Sequence, residues 1–167
     1  YKQSLAIWTE LDAKDPMAST LNNTGAVYEL MGEYETARTY YEQAHKIWVD
    51  RGNLYSISIS LNNLGTIHQY LGDFDQALSF KQQVLKNHME LGNNHGSAGV
   101  LADIALIYLE TDRPDSALAA AGQSLKLAQE SDSWTQIRNA HEVLTEIYEA
   151  EGNYAQALEH YKSYKAA

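Results

Sequence analysis

The chain repeats itself at a fixed interval of 40 residues, and this repetition restricts the fold more than any other feature. Residues 61–78 (LNNLGTIHQYLGDFDQAL) have relatives at residues 21–38, 101–118 and 141–158, so the starting positions 21, 61, 101 and 141 each differ by 40. A fixed period between about 20 and 50 residues is typical of stacked supersecondary units. The sequence therefore predicts an elongated array of similar units.

The array begins with half a unit and continues with four full units. Residues 1–10 (YKQSLAIWTE) align with residues 41–50 (YEQAHKIWVD) at the same interval, which indicates a half repeat over residues 1–13. The full repeats are expected at about residues 14–53, 54–93, 94–133 and 134–167. We expect them to form a single domain, because each unit packs against its neighbours.

Each unit is predicted to be two helices joined by a tight turn. In the first unit, apolar and small residues recur at three- and four-residue intervals, which predicts a helix over residues 16–31. The helical period resumes over residues 34–50 after a glycine. The residues predicted to form the packed face of the first helix are Leu21, Thr24, Gly25, Tyr28 and Met31.

Capping residues predict where the helices begin and end. Asp15 is a candidate cap and Pro16 a candidate first helical residue, because Pro loses nothing at that position. Glycine follows most of the first helices, whereas Asp112 stands at this place in the third full unit. Ser133 is a candidate cap for a helix beginning at Trp134.

Five positions carry the same residue type in most units. They are the small residue of the first helix (Gly25, Gly65, Ala105), its aromatic (Tyr28, Tyr108, Tyr148), the turn glycine (Gly32, Gly72, Gly152), the second-helix aromatic (Tyr34, Phe74, Tyr154) and the second-helix alanine (Ala37, Ala77, Ala117, Ala157). With these residues the chain resembles the tetratricopeptide repeat over essentially its whole length. The 40-residue period is similar to the longer variety in kinesin light chains and bacterial signalling regulators. The resemblance implies an all-α, right-handed α-solenoid of antiparallel helix pairs.

Composition argues against several classes of partner. The chain has 22 acidic and 12 basic side chains, a formal net charge of −10, so nucleic acid and anionic membrane surfaces are repelled on average. No apolar run approaches the roughly 20 residues that span a bilayer. There is no Cys, which is compatible with a reducing compartment, and we expect a cytoplasmic protein.

Motifs for catalysis, cofactors or metals are not found in the sequence. The six His form no HExxH motif and no pair at three- or four-residue spacing. His68 stands at a packed aromatic position, so we interpret it as a core or hydrogen-bonded residue rather than a ligand. Glu146 and Glu149 share a helix face and are interpreted as solvated rather than as an acid/base couple. We expect no enzyme activity, no metal and no cofactor.

The resemblance implies that the first helices line a concave face where a peptide or a partner helix binds. Paired asparagines recur one unit apart there, and a ladder from Asn23 to Asn63 would suit an extended peptide backbone, because an amide is both donor and acceptor. The alternative is that these asparagines satisfy only neighbouring backbone or water. The candidate binding residues are Asn22, Asn23, Asn62, Asn63, Thr66, Gln69, Tyr70, Asp103, Leu106, Glu110, Glu142 and Glu146.

The charge of these helices predicts the chemistry of the partner. They carry almost no Lys or Arg, Arg138 being the exception, while basic residues concentrate on second helices and turns. This pattern speaks against a clamp for a terminal carboxylate and favours a neutral or basic partner segment. We expect a protein-interaction scaffold, the sensing or interaction region of a larger bacterial signalling protein. The alternative is a structural adaptor or a homodimer formed through exposed apolar ends.

Overall fold

The computed structural model describes residues 14–166, so the half repeat predicted at residues 1–13 lies outside the described part, as does Ala167. Within that part the secondary structure is entirely helical. The helices are α1 (Lys14–Leu30), α2 (Tyr34–Arg51), α3 (Leu54–Tyr70), α4 (Phe74–Glu90), α5 (Asn94–Glu110), α6 (Pro114–Glu130), α7 (Trp134–Ala150) and α8 (Tyr154–Ala166).

The same short turn closes each described helix from α1 to α7. One turn residue has a positive φ angle, and it is a glycine in most of the turns but Asp112 (φ 56°) or Asp132 (φ 49°) in two of them. The N–H of the following residue donates to a carbonyl five residues back, as from Arg113 to Tyr108 at 2.9 Å. This is the Schellman arrangement, which satisfies carbonyls left over at a helix end. The turn reverses the chain within three residues and makes consecutive helices antiparallel.

The last turn residue often also begins the next helix. Asn53, Asn93 and Ser133 each accept a hydrogen bond from the backbone N–H three residues further on, at 3.1, 2.9 and 3.4 Å. The cap predicted at Ser133, with a helix beginning at Trp134, is confirmed. Because one residue both closes one helix and caps the next, the turn has a constant length.

Two predictions at the ends of α1 are wrong. The helix already includes Lys14, so Asp15 lies within it and does not cap it. The Asp15 carboxylate instead accepts from the Arg51 guanidinium, with Nη2 at 3.0 Å and Nε at 3.3 Å. Met31 follows the end of α1 and is 66% exposed, because it belongs to the turn rather than to the packed face.

The chain divides into two compact units, Tyr1–Gln83 and Val84–Ala167. In the described part of the first unit, α2 packs between α1 and α3. Partly buried Ile57 and Ile59 of α3 extend this packing. Two clusters of buried apolar residues lie in its core, one of Ala18, Leu21, Ala44 and Trp48 and one of Ala37, Tyr41, Leu64 and Ile67.

In the second unit, α6 packs between α5 and α7, and α8 packs against α7. The hydroxyl of Ser124 on α6 donates to the carbonyl of Ala98 on α5 at 2.7 Å, inside the core. The alanines predicted for the close helix crossings are buried, with Ala117 at 0% and Ala157 at 3% exposure. A small side chain at such a crossing lets two helix axes approach to about 8 to 10 Å.

Candidate protein-interaction site

Seven of the predicted binding residues lie on α1 and α3 in the first compact unit. Asn23 and Tyr70 are exposed, and the other five are partly buried. A partly buried polar residue divides its hydrogen-bonding groups between the protein and the outside. The seven residues, which we call the α1–α3 face, are Asn22, Asn23, Asn62, Asn63, Thr66, Gln69 and Tyr70.

A side-chain hydrogen bond joins the two asparagine pairs. Nδ2 of Asn63 donates to Oδ1 of Asn22 at 2.8 Å, while Asn23 is exposed. The structure thus brings Asn63 to Asn22, although the 40-residue interval aligned Asn63 with Asn23. Among the described residues, Oδ1 of Asn63 and Nδ2 of Asn22 have no hydrogen-bond partner. One acceptor, on Asn63, and one donor, on Asn22, therefore remain on the face.

A buried lysine from α4 reaches the same face. Lys81 is 2% exposed, and its Nζ donates to Oδ1 of Asn62 at 2.8 Å and to Oγ1 of Thr66 at 3.2 Å. The Thr66 hydroxyl in turn donates to the Asn62 carbonyl at 3.1 Å. Basic residues concentrate on second helices in the sequence, and this pattern gives no sign that Lys81 reaches the first-helix face. The signal that would have found it is its alignment, at the 40-residue interval, with Tyr41, a residue of the core cluster.

Tyr41 has the same arrangement one repeat earlier. A Cβ on Gly25 would lie 2.8 Å from Cε1 of Tyr41, so the ring passes directly beneath this glycine of α1. The Tyr41 hydroxyl then donates to Oε2 of Glu29 at 2.6 Å. Burial raises the pKa of Tyr41 well above its ordinary value, and the hydrogen bond to Glu29 and its charge raise it further. In both repeats a long side chain from the second helix places its polar end on the first.

Stacking holds the aromatic member of the α1–α3 face. Tyr70 stacks on Tyr34, with ring centroids 4.7 Å apart and an angle of 12° between the planes. Tyr70 nevertheless remains 56% exposed. Its ring is thus fixed on one side and open on the other, which suits a contact with an apolar or planar group.

The remaining predicted residues lie on α5 and α7 in the second unit. Asp103 and Leu106 are partly buried, whereas Glu110, Glu142 and Glu146 are exposed. We call these five residues the α5–α7 face. The pKa of Glu146 is raised, first by burial and then by the negative charges of Glu142 and Glu149. The α7 part of this face is therefore a site of negative potential.

Two histidines that the sequence did not pair meet between α7 and α8. Nδ1 of His141 lies 2.9 Å from Nδ1 of His160, and Tyr148 stacks on the His160 ring at 5.5 Å. Burial lowers the pKa of both imidazoles, and the charge of His160 lowers that of His141 further. Only one of two neutral rings needs to donate at this distance, so the pair is a hydrogen bond between helices. The two residues are 19 positions apart on different helices, so three- and four-residue spacing within one helix does not reveal the pair.

Metal binding, membrane insertion and the role of His68 can be compared with the structure of residues 14–166. No three His, Asp or Glu side chains in this range gather into a group that could hold a metal ion. No helix in it combines the length and the apolar character needed to cross a membrane. The predicted role of His68 is confirmed, since its Nδ1 lies 3.2 Å from Oδ2 of Asp73 and its ring packs against Phe80 at 5.3 Å.

Solved structures share this fold at low sequence identity. BtubC (BKLC) from P. vanneervenii is 20% identical, with a TM-score of 0.81 over 92% of this chain and 63% of that one. A putative kinesin light chain from Podosopora anserina is 17% identical, with a TM-score of 0.80 over 99% and 82%. Aspartyl phosphate phosphatase F from Bacillus subtilis is 16% identical, with a TM-score of 0.85 over 92% and 40%. The chain thus spans under two thirds of the first and third proteins. The predicted class, an all-α solenoid of antiparallel helix pairs, is confirmed.

Sequence comparison identifies the family. A search of curated proteins finds no significant match. A family model described as tetratricopeptide repeat matches residues 1–48 and 56–130, and a second model with the same description matches residues 140–166. These matches include most of the chain and follow the repeats that the helix pairs form. The chain belongs to the tetratricopeptide-repeat family.

Proposed function

We propose that this chain binds peptides or partner helices of other proteins at its α1–α3 face in the first compact unit and at its α5–α7 face in the second. Tetratricopeptide repeats are scaffolds for protein–protein interaction, and the family assignment supports that role here. Each face presents polar side chains from two first helices. Binding is thus the proposed activity, without catalysis or a cofactor, and a cytoplasmic location stays a prediction.

We propose a neutral partner segment for the α1–α3 face and a basic partner segment for the α5–α7 face. The α1–α3 face offers amides and a tyrosine, which suit an uncharged extended backbone. The α5–α7 face offers carboxylates. At the α5–α7 face, a partner segment with Lys or Arg would therefore be favoured over an acidic one.

Three carboxylates on one side of α7 are the observation that carries this proposal. Glu142, Glu146 and Glu149 are exposed, and their spacing of four and three residues places them on one helix face. Burial raises the pKa of Glu146, and repulsion from the charges of Glu142 and Glu149 raises it further. A cationic side chain bound there would relieve this repulsion, which favours a basic ligand at the α5–α7 face.

A peptide selection tests the proposal. The whole chain is panned against random peptides displayed on phage, and the enriched peptides are titrated by fluorescence anisotropy. We expect basic or neutral sequences, whose affinity falls as the salt concentration rises because exposed charges are screened. Enrichment of acidic sequences would contradict the proposed partner.

Matched variants then locate the contact. Glu146→Gln should weaken binding of a basic peptide about two- to fivefold, as is typical of an exposed ion pair. Glu130→Gln is the control, because Glu130 is exposed on the second helix α6. If the two variants bind alike, the α5–α7 face does not hold the peptide.

A second candidate function is self-association through α8. Tyr154, Leu158 and Tyr161 are 71%, 52% and 47% exposed, and their spacing places them on one side of the helix. An exposed apolar stripe of this kind can bury itself against a second copy. Light scattering over a range of concentrations should then show a growing mass that Leu158→Glu abolishes. A constant monomer mass would rule out this alternative.

The context that we propose is bacterial signalling. One structural neighbour is an aspartyl phosphate phosphatase, and the chain covers 92% of its own length in that alignment. The shared fold supports a sensing or interaction region within a larger regulator. Affinity capture with the intact chain, compared with the Asn63→Ala variant, would test whether a signalling protein binds through the α1–α3 face.

A further inference from the structure

Lys81 differs in burial from the other lysines of residues 14–166. It lies at 2% exposure beneath Gly65, and a Cβ on that glycine would lie 3.2 Å from Cε and 3.3 Å from Cγ of Lys81. The glycine therefore leaves room for the aliphatic stem to pass under α3. The ammonium emerges beside Asn62 and Thr66, two residues of the α1–α3 face.

An ammonium group can fix the orientation of an amide. It carries three donors and no acceptor, so it can bond to the Oδ1 atom of Asn62 but not to its Nδ2. The orientation of the Thr66 hydroxyl is fixed in the same way. Its oxygen accepts from Lys81, and its hydrogen is donated to the Asn62 backbone carbonyl. The bonds from Lys81 to Asn62 and Thr66 and the bond from Thr66 to the Asn62 carbonyl therefore run in one direction.

The consequence appears on the outer side of Asn62. Its Oδ1 accepts from Nζ of Lys81 at 2.8 Å, and its Nδ2 has no partner among the residues that the structure describes. Asn62 is only partly buried, so this NH2 group is within reach of a ligand. At Asn62 the face thus offers a donor and not an acceptor.

We propose that Lys81 is a positioning residue that makes Asn62 a hydrogen-bond donor and so selects a carbonyl oxygen of the bound peptide at that point. This inference rests on the proposed peptide-binding function and specifies one of its contacts. An extended peptide presents a carbonyl on each side at alternate residues, which allows one carbonyl to meet the Asn62 amide. Lys81 itself does not touch the peptide.

The first test needs no ligand. In the wild type, NMR should show the Asn62 side-chain NH2 protons exchanging with water, because they point outwards. Lys81→Met keeps the length of the stem but removes the donors, so the amide can rotate and the Asn62 side-chain resonances should shift. The control is Lys46→Met, since Lys46 is exposed on α2. Unchanged Asn62 resonances in Lys81→Met would overturn the proposal.

The second test uses a peptide selected by the wild-type chain, together with versions in which an ester replaces one backbone amide at a time. An ester carbonyl is a weaker acceptor, so one position should weaken wild-type binding by roughly three- to tenfold. In Lys81→Met that position should lose its effect, and the parent peptide should bind about three- to tenfold more weakly. A merely structural role for Lys81 would lower affinity at all positions equally.

A second variant keeps the tests decisive if Lys81→Met does not fold. Asn62→Asp retains an oxygen for Lys81 but replaces the outward donor by an acceptor, and it should abolish the same ester effect. Binding of Asn62→Asp within twofold of the wild type would overturn the inference. If no peptide is selected at all, the proposed function fails, and the ligand-free NMR measurement still decides the orientation of Asn62.

Discussion

Gly25 and Gly65 occupy equivalent positions in successive repeats, but the side chains beneath them differ in stiffness. A Cβ on Gly25 would lie 2.8 Å and 2.9 Å from ring atoms of Tyr41, which is 1% exposed. A Cβ on Gly65 would lie 3.2 Å or more from the flexible chain of Lys81. A rigid buried ring cannot move aside, whereas an aliphatic stem can adjust by a few tenths of an ångström.

Alanine substitution should therefore separate the two glycines. Ala in a helix gains about 0.4 to 1 kcal/mol over Gly, and overpacking costs about 1 to 3 kcal/mol. We expect Gly25→Ala to lower the free energy of unfolding by about 1 to 2 kcal/mol. Gly65→Ala should change it by less than about 1 kcal/mol. Urea denaturation of both variants measures this difference, and equal losses would contradict the stiffness argument.

The position of these glycines could be predicted from the sequence, but what lies under them could not. The 40-residue interval identifies a small residue on each first helix. It does not show that a lysine at a position equivalent to Tyr41 turns inwards, because a lysine is normally expected to keep its charge in water. The Asn22 to Asn63 bond was missed for another reason. Packed helices cross at an angle, so contacting residues need not occupy equivalent positions in their repeats.

At the scale of the helices, the turns are the most regular element of the chain. Each closes with a positive φ angle, and where glycine is absent Asp112 and Asp132 adopt it instead. A side chain in this region is strained, although Asp tolerates it better than most residues. The repeat has thus kept the backbone conformation and changed the residue.

Asp112→Gly should stabilise the protein by about 0.5 to 1 kcal/mol, because glycine adopts φ near 56° without strain. The reverse change, Gly72→Asp, should destabilise by a similar amount. Thermal unfolding of both variants checks this pair. A lower melting temperature for Asp112→Gly would mean that the carboxylate has another stabilising role.

Helix boundaries were predicted well where a turn motif fixes them and poorly where only one residue argued for a cap. The second helix was predicted over residues 34–50 and ends one residue later, at Arg51. Asp15 instead bonds to Arg51, which is 36 residues away in the chain. A local sequence motif does not show that Asp15 bonds to a distant arginine and leaves the helix end uncapped.

At the scale of the whole molecule, burial lowers the pKa of four histidines. The pKa values of His45, His88, His141 and His160 all lie below the ordinary value of 6.5, with burial as the main cause. In each compact unit they sit at contacts between helices, as where His45 Nδ1 lies 2.8 Å from Ser60 Oγ.

Acid should therefore destabilise the fold. When the folded pKa is lowered, the unfolded chain binds more protons near and below pH 6.5, so the free energy of unfolding is highest above that value and falls as pH decreases through the window below it. We expect the melting temperature to fall between pH 7.5 and pH 5.5. The raised pKa of Glu146 has the opposite effect on the free energy of unfolding. This effect occurs at more acidic pH, nearer the ordinary pKa of 4.5.

His160→Gln should reduce this dependence on pH, because it removes one titrating ring and the charge that lowers the pKa of His141. Calorimetry of both proteins at several pH values between 5.5 and 7.5 measures the two slopes. A melting temperature of the wild type that rises on acidification would show that these histidines do not control stability.

The central claim is that the first helices hold the partner, and an NMR titration with a selected peptide tests it most directly. The claim predicts that backbone amide shifts concentrate on α1, α3, α5 and α7, including residues near Asn63 and Glu146. It also predicts that Asn63→Ala weakens binding while the protein stays folded, with a loss in the free energy of unfolding of no more than about 1.5 kcal/mol from the missing bond to Asn22. Shifts confined to the second helices, or to the exposed stripe of α8 around Leu158, would contradict the claim.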